Sequence, residues 1–234
     1  MQTVAIPPLR RLAMSHSLLS SGETMRPSTH RILRCAGMVL ALCFAVPGCA
    51  SRDSHPRALL PELVPETAAL EAIRTYDASK DGRLDAKELE RCPALVHALR
   101  SYDGDGDGKL TSQEIANRLL RIKEGSSAFL GISCQVNLGD APLAGAKVTF
   151  VPEAFMGSAF KPSTGVSDEE GHVDLQTDGM DVPGLYCGLY RVTVSKPNAQ
   201  GKETIPARYN TQTTLGYEIA PDMREGNIYI RVLR

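Results

Sequence analysis

The feature that most constrains this chain is a twelve-residue segment that occurs twice, 26 positions apart. The two copies run from Asp77 to Glu88 (DASKDGRLDAKE) and from Asp103 to Glu114 (DGDGDGKLTSQE). Each copy places oxygen-bearing side chains at alternate positions, a glycine at the sixth position and a glutamate at the last. A loop of this length can surround one Ca²⁺ ion, which takes about six to eight oxygen ligands at about 2.3–2.6 Å. The duplication therefore predicts two calcium sites.

Apolar residues around the two segments repeat with the same offset. The equivalent pairs are Leu70 and Val96, Ile73 and Leu99, Tyr76 and Tyr102, Leu84 and Leu110, and Leu89 and Ile115. Residues 70, 73 and 76 recur at three-residue steps along one face, which predicts a helix that leads into the first segment. Pro93 is acceptable in the first turn of a second such helix. We therefore expect a helix before each loop.

This helix-loop-helix pattern resembles the EF-hand family, and the match covers every ligand position of both loops. The resemblance implies direct side-chain ligands, a backbone carbonyl at the seventh position, a ligand acting through water at the ninth, and a bidentate glutamate. The ligand sets are then Asp77, Ser79, Asp81, Arg83, Asp85 and Glu88 in the first loop, and Asp103, Asp105, Asp107, Lys109, Thr111 and Glu114 in the second. It also implies a short two-stranded contact at Leu84 and Leu110. The expected cofactor is Ca²⁺, as two ions.

Three alternatives stay open from the sequence: solvated acidic turns, the paired calcium loops of a dockerin, and Mg²⁺ as the ion. A glutamate at the twelfth position and a full helix before each loop favour the EF-hand. A bidentate glutamate also favours Ca²⁺ over the smaller Mg²⁺. Because Asp105 stands where the first loop has Ser79, the direct ligands of the second loop carry more charge. We therefore expect the second loop to bind Ca²⁺ more tightly.

Residues 1–48 have the pattern of an export signal. Arg31 and Arg34 precede an apolar run from Met38 to Val46, which is shorter than the about 20 residues of a membrane-spanning helix. The sequence Val46-Pro47-Gly48-Cys49 resembles the lipobox of bacterial lipoproteins, although proline departs from the usual pattern. The resemblance implies cleavage before Cys49 and lipidation of its side chain. Simple secretion and a retained anchor are the alternatives.

The rest of the chain divides by its periodicity. Residues 49–66 contain three prolines and are expected to be a spacer, residues 67–123 the EF-hand pair, and residues 124–128 a linker. From residue 129 onward the apolar residues alternate, as in Val148 and Phe150, with no helical segment between the alternating runs. This pattern predicts an antiparallel β-sandwich over residues 129–234.

Four segments of this last region resemble the carboxypeptidase-regulatory-like or transthyretin-like (prealbumin-like) β-sandwich. They are Pro142 to Phe150, Thr164 to His172, Gly188 to Val194 and Ile205 to Asn210. The resemblance implies a structural or adhesive module without chemistry of its own. The expected fold class is therefore α+β and multidomain, with a helical pair followed by a β-sandwich.

The oxidation state expected for the cysteines depends on the compartment in which the protein lies. Cys134 and Cys187 both lie in the last region, and in an oxidising compartment they are candidates for a disulfide. Two buried reduced thiols are the alternative. We expect Cys92 to be a small core residue.

Composition and motifs narrow the function. The formal net charge is −1 and no run of Lys or Arg suggests a nucleic-acid surface, so nucleic acid is not an expected partner. Because no catalytic arrangement of Ser, Cys, His or Zn ligands is recognisable, we do not expect an enzyme. The sequence instead predicts a calcium-binding lipoprotein that is exported, anchored in a membrane through Cys49 and facing the periplasm or cell exterior. The partner of its β-sandwich is an unknown protein or polysaccharide; a calcium sensor and a membrane-anchored enzyme of unrecognised type are the alternatives.

Overall fold

The computed structural model of the protein describes residues 59–223 and 226–234. The predicted export signal, Cys49 and most of the predicted spacer lie outside these residues. The helices of the described part are α1 (Pro65–Tyr76), α2 (Ala86–Leu89), α3 (Pro93–Tyr102) and α4 (Ser112–Glu124). The strands are β1 (Arg83–Leu84), β2 (Leu110–Thr111), β3 (Phe129–Leu130), β4 (Ser133–Leu138), β5 (Ala141–Pro142), β6 (Lys147–Pro152), β7 (Ser163–Val166), β8 (His172–Asp174), β9 (Gln176–Thr177), β10 (Leu185–Tyr186), β11 (Gly188–Ser195), β12 (Leu215–Ile219) and β13 (Asn227–Val232).

The helices begin at prolines or at capping residues. Pro93 opens α3, as predicted, but Pro65 also opens α1. The prediction that the spacer extends to residue 66 was wrong, because proline is tolerated in the first helical turn, where its missing N–H has no partner to lose. One of the residues before Pro65 is also packed. Leu63 is buried, and its carbonyl accepts a hydrogen bond from Nζ of Lys123 at 2.9 Å.

The strands after residue 129 form two main sheets. One has the strand order β12-β11-β6-β7-β9, and all of its pairs are antiparallel. The other has the order β13-β4-β5, with β8 also paired to β4. In this second sheet β13 and β4 are parallel, so that Asn227 lies opposite Ser133 and Val232 opposite Leu138. The expectation of a wholly antiparallel sandwich is corrected here. Alternation of apolar residues is the same in both kinds of pair, and a parallel pair requires a long connection, which residues 139–226 supply.

Buried side chains from both main sheets meet in one hydrophobic cluster. Its members include Val136 and Ile230 of one sheet and Phe150 and Val192 of the other. Successive residues of a strand face opposite sides of its sheet. Leu189 on β11 accordingly belongs to a different cluster, which it shares with helix residues such as Leu95 and Leu119, and with Phe155 and Met156. The five-stranded sheet therefore packs against the second sheet on one face and against the helices on the other.

This packing changes the predicted domain organisation. Residues 67–123 and 129–234 were expected to be separate domains joined by a linker at 124–128. The helices instead share a hydrophobic cluster with Phe155, Leu189 and Ala220 of the strand region. The boundary near residue 125 is thus a change of secondary structure within one packed unit, because the helices and the five-stranded sheet each bury an apolar face against the other.

The buried faces of α1 and α3 differ from the predicted stripe. Leu70 and Val96 have exposed fractions of 63% and 48%, although Tyr76 and Tyr102 are buried as expected. The buried residues of the two helices also include Ala68, Ala69 and Ala72, and Ala94, Leu95 and Ala98. A stripe built on three-residue steps drifts around a helix of 3.6 residues per turn, and small alanine side chains allow a close approach to neighbouring elements.

One such approach lies between the start of α3 and β12. A Cβ atom added to Gly216 would lie 2.1 Å from the backbone nitrogen of Ala94 and 2.2 Å from the carbonyl carbon of Pro93. Only a residue without a side chain fits at this point. Gly216 thereby allows the helix to pack directly on the sheet.

The predicted disulfide does not form in the structure. Cys134 and Cys187 are free, buried thiols, as is Cys92. Cys134 lies in the cluster between the two sheets, whereas Cys187 lies in the cluster beneath the helices. The two cysteines pack on different faces of the five-stranded sheet. Position in the same region of the sequence therefore did not bring their sulfur atoms together.

Candidate metal centre

The last four residues of each twelve-residue segment form a helix cap. Asp85 is the N-cap of α2 and its carboxylate accepts hydrogen bonds from the backbone N–H groups of Lys87 and Glu88, both at 2.9 Å. The carboxylate of Glu88 accepts a hydrogen bond from the N–H of Asp85 at 3.0 Å, which completes a capping box. Thr111 and Glu114 repeat this arrangement at the start of α4. The sequence therefore fixes the ninth and twelfth positions of each loop relative to each other.

The second loop brings three predicted ligands together. Carboxylate oxygens of Asp103, Asp105 and Glu114 all lie within 4.8 Å of one another. The loop turns at Gly106 and Gly108, whose φ angles are 77° and 78°. Glycine adopts such positive φ values without steric cost. Three carboxylates at this separation match the hard oxygen donors that Ca²⁺ prefers.

Backbone N–H groups hold these carboxylates in place. Asp103 accepts hydrogen bonds from the N–H of Gly106 at 2.7 Å and from that of Gly108 at 3.0 Å. Glu114 accepts one from the N–H of Gly104 at 3.0 Å through Oε1, and one from the N–H of Thr111 at 2.9 Å through Oε2. The first and twelfth positions of the loop are thus oriented toward the same centre.

The first loop has the same turn and a looser set of carboxylates. Asp77 accepts hydrogen bonds from the N–H groups of Lys80 at 2.6 Å and Gly82 at 2.9 Å, and Glu88 accepts one from that of Ser79 at 2.8 Å. In residues 59–223 and 226–234 the first loop holds no group of three carboxylates as close as that of the second. Ser79 at the third position accounts for the difference.

A short antiparallel contact joins the two loops, as the EF-hand resemblance implies. Leu84 of β1 lies opposite Leu110 of β2, and both side chains are fully buried. An ion pair adds to this contact, since Nη1 of Arg83 lies 3.2 Å from Oδ2 of Asp107. The seventh position of one loop therefore contacts the fifth position of the other.

Electrostatics favours ionised glutamates at the ends of both loops. Backbone hydrogen bonds from Asp85 and Ser79 lower the pKa of Glu88. Burial raises the pKa of Glu114, but hydrogen bonds from Thr111 and Gly104 outweigh this effect and the pKa is lowered. Hydrogen bonds to the charged form of a carboxyl favour that form. The charged carboxylate, which is the form that binds a cation, is thus favoured in both glutamates.

The remaining predicted ligands lie in the same two loops. Asp81 accepts a hydrogen bond from the N–H of Arg83 at 3.0 Å, and Asp107 accepts one from that of Lys109 at 2.8 Å. Arg83 and Lys109 each contribute only a backbone carbonyl to the predicted sets. All twelve predicted positions therefore lie in the two loops that β1 and β2 join.

The sequence did not predict the polar contacts that connect these loops to the sheets. Arg118 of α4 is buried, and its Nε and Nη2 donate to the two carboxylate oxygens of Glu218 at 2.9 and 2.7 Å. On the first half of the repeat, the hydroxyl of Tyr76 donates to Oε2 of buried Glu153 at 3.0 Å. The sequence did contain one indication of the Arg118 contact, because Arg118 stands between Ile115 and Ile122 on the apolar face of α4. A charged residue on such a face requires a buried partner.

The fold and the paired loops define a helix-loop-helix protein with a duplicated oxygen-ligand site. The model of the EF hand family matches residues 70–93 and residues 95–120, which covers both loops and parts of their flanking helices. This match indicates calcium binding. Comparison with curated proteins and with solved structures gives no match. Of the helices described, none has the length and apolar character needed to cross a membrane.

Proposed function

We propose that this protein is an exported calcium-binding lipoprotein, in which two Ca²⁺ ions have a structural role and the strand region is a structural or adhesive module. The observation that carries the calcium role is the convergence of Asp103, Asp105 and Glu114 within 4.8 Å in a loop that the EF hand model matches. The first loop shares the turn, the capping box and the backbone hydrogen bonds of the second. Two ions therefore follow from the duplication.

The packing of the helices supports a structural ion over a signalling one. A sensor of the calmodulin kind opens on binding Ca²⁺ and exposes a methionine-rich groove. Here the apolar face of the helices is covered by the five-stranded sheet and by Phe155 and Met156, which belong to the same hydrophobic cluster. Opening would separate the helices from the sheet. Ca²⁺ is then a permanent ligand, which neutralises the loop carboxylates and stabilises the folded protein.

Export and anchoring rest on the pattern of residues 1–49. In this proposal the chain is cleaved before Cys49, the thiol of that residue carries lipid, and the described residues face the periplasm or the cell exterior. The strand region then contacts a protein or polysaccharide partner and performs no catalytic step. Membrane fractionation and intact mass of wild type and Cys49→Ser test the anchor. The serine variant is expected in the soluble fraction without the lipid mass, and equal membrane association of both would contradict the anchor.

Calorimetric titration of the purified protein with Ca²⁺ and Mg²⁺ tests the calcium role. We expect two Ca²⁺ ions per chain, and Glu114→Gln should weaken binding at the second loop by about tenfold while the protein stays folded, because one bidentate charged ligand is lost. Glu124→Gln, an exposed change on the same helix, is the matched control and should bind as wild type does. Wild-type protein that takes up no Ca²⁺ at millimolar concentration would refute the proposal.

Calcium should also raise the thermal stability of the whole described unit. At a hundredfold excess over Kd, one bound ion contributes about 2.7 kcal/mol, which corresponds to a rise in Tm of roughly 5–11 °C for a chain of this size. Because helices and sheet share a core, we expect a single transition that shifts with Ca²⁺ and reverts with chelator. A strand region that melts independently of Ca²⁺ would contradict the structural role.

A further inference from the structure

The 26-residue repeat extends beyond the ligand positions to residues that face the strand region. Tyr76 and Tyr102 immediately precede the first ligand of each loop. Cys92 and Arg118 lie four residues after the last ligand of each loop and are also related by the 26-residue offset. All four side chains are buried. Each half of the repeat thus buries one residue just before its loop and one residue about a helical turn after it.

In the second half, the two helices that flank the loop both contact strand β12. Arg118 binds Glu218 through two hydrogen bonds, and Glu218 itself is 9% exposed. The entering helix α3, which ends at Tyr102, packs on the same strand, because Gly216 of β12 lies against the backbone of Ala94. The hydroxyl of Tyr102 has no hydrogen-bond partner among the described residues. The helices on both sides of the second loop therefore contact β12, and Glu218 holds the exit helix there.

In the first half, Glu153 occupies the corresponding place. Tyr76 donates a hydrogen bond to it, and its Oε2 lies 3.5 Å from Nη2 of Arg191. Nη2 of Arg191 also donates to the backbone carbonyl of Arg91, the neighbour of Cys92, at 2.9 Å. The cation is supplied by β11 here, whereas α4 supplies it in the second half. Both halves of the repeat nevertheless contact a buried glutamate of the strand region.

Calcium binding requires the first and twelfth residues of a loop to meet at one ion, and these residues lie at the ends of the two flanking helices. Contacts that hold the flanking helices against the strand region reduce the ordering that the ion must impose, and such preorganisation increases affinity. We propose that Glu153 and Glu218 are positioning residues for the first and the second calcium loop, respectively. This inference rests on the proposed calcium function, and it assigns part of the affinity to residues outside the loops.

Loop-resolved calcium titrations of Glu218→Gln and Glu153→Gln test the proposal. The backbone N–H groups of Gly82 and Gly108 donate to Asp77 and Asp103, so their amide NMR signals report the two loops separately. We expect Glu218→Gln to weaken the second loop by about tenfold, within the usual range of coupling between sites. The first loop should change by less than about twofold. Glu153→Gln should give the converse pattern.

Weaker calcium binding at one loop only would distinguish a positioning role from a general loss of stability, because a general loss would weaken calcium binding at both loops. Asp222→Asn is the matched control, because it removes a carboxylate that binds the same Arg118 guanidinium but is 65% exposed. This control should leave both affinities within about twofold of wild type, since an exposed ion pair contributes little.

Two milder variants keep the test decisive if a glutamine variant does not fold. Arg118→Lys keeps the charge but loses the planar fork that binds two carboxylates, and Tyr76→Phe removes only a hydroxyl. Each should weaken its own loop by about fivefold. Folded variants with wild-type affinities, or with both loops weakened equally, would overturn the positioning role. A wild-type protein whose Gly82 and Gly108 signals ignore Ca²⁺ would instead refute the calcium function itself.

Discussion

Replacing Gly216 with alanine should push the start of α3 away from β12 and destabilise the protein. The new Cβ would lie 2.1 Å from the nitrogen and 2.5 Å from the Cα of Ala94, whereas ordinary van der Waals contacts of a Cβ begin at 3.4 Å. The start of α3 must therefore move by about 1.3 Å relative to β12. The obstacle is backbone, so no side-chain rotation can relieve it. The displacement disturbs Ala94, Leu95 and Ala98, which are buried on this face of α3.

The expected cost follows from this geometry. Inserting a methyl group into a well-packed core costs about 1–3 kcal/mol, and we expect about 3 kcal/mol here because a backbone segment must yield. For a chain of this size that cost lowers Tm by roughly 6–12 °C. Thermal unfolding followed by circular dichroism measures the change.

Gly131→Ala is the matched control for this substitution. A Cβ at Gly131 would meet no atom within 4 Å, and its φ angle is not positive. We expect this control to melt within about 4 °C of wild type, because a well-accommodated Gly→Ala change alters stability by less than about 1 kcal/mol. Equal Tm values for Gly216→Ala and the wild-type protein would refute the close packing of α3 on β12.

Three further predictions test the charges, the thiols and the surface. Arg118 lowers the pKa of Asp222 below the ordinary value of 3.8. The ion pair of Asp222 with Arg118 should therefore stabilise the protein fully above pH 3.8, and this stabilisation should be lost as pH falls through the lowered pKa. The free energies of urea unfolding of wild type and Asp222→Asn should converge as pH falls below the lowered pKa of Asp222, and a difference that stays constant with pH would contradict this. Alkylation in denaturant without reductant should label Cys134 and Cys187 fully, and a protected pair would show a disulfide. Leu70→Lys should change the free energy of unfolding by less than about 0.5 kcal/mol, and a larger loss would show that this exposed side chain is packed.

The calcium loops could be located from the sequence because their information is local. Ligand type, spacing, the turn glycine and the capping glutamate all lie within twelve residues, and the two-stranded contact at Leu84 and Leu110 was also confirmed. Strand periodicity after residue 129 similarly revealed the alternating core positions Val148 and Phe150. These features depend on neighbours in the chain, so one sequence is sufficient to predict them.

The contacts between helices and sheets had no comparable signal. Arg118 and Glu218 are 100 residues apart, and the parallel pairing of β4 with β13 joins residues that are more than 90 positions apart. The alternation of apolar residues does not indicate which strands are neighbours or in which direction they run. It also did not show that α1 and α3 would bury alanines and leave Leu70 and Val96 exposed.

The parallel pairing of β13 with β4 has a consequence for how the protein is made. Ile228, Ile230 and Val232 cover the core beside Cys134 and Val136, which are translated some ninety residues earlier. Until residue 232 has left the ribosome, one edge of that sheet is missing and the apolar side chains beneath it face water. The helices can form early, but the sheet that contains β4 is completed only when β13 is available. A nascent chain that stalls before β13 should therefore be a substrate for proteases or chaperones.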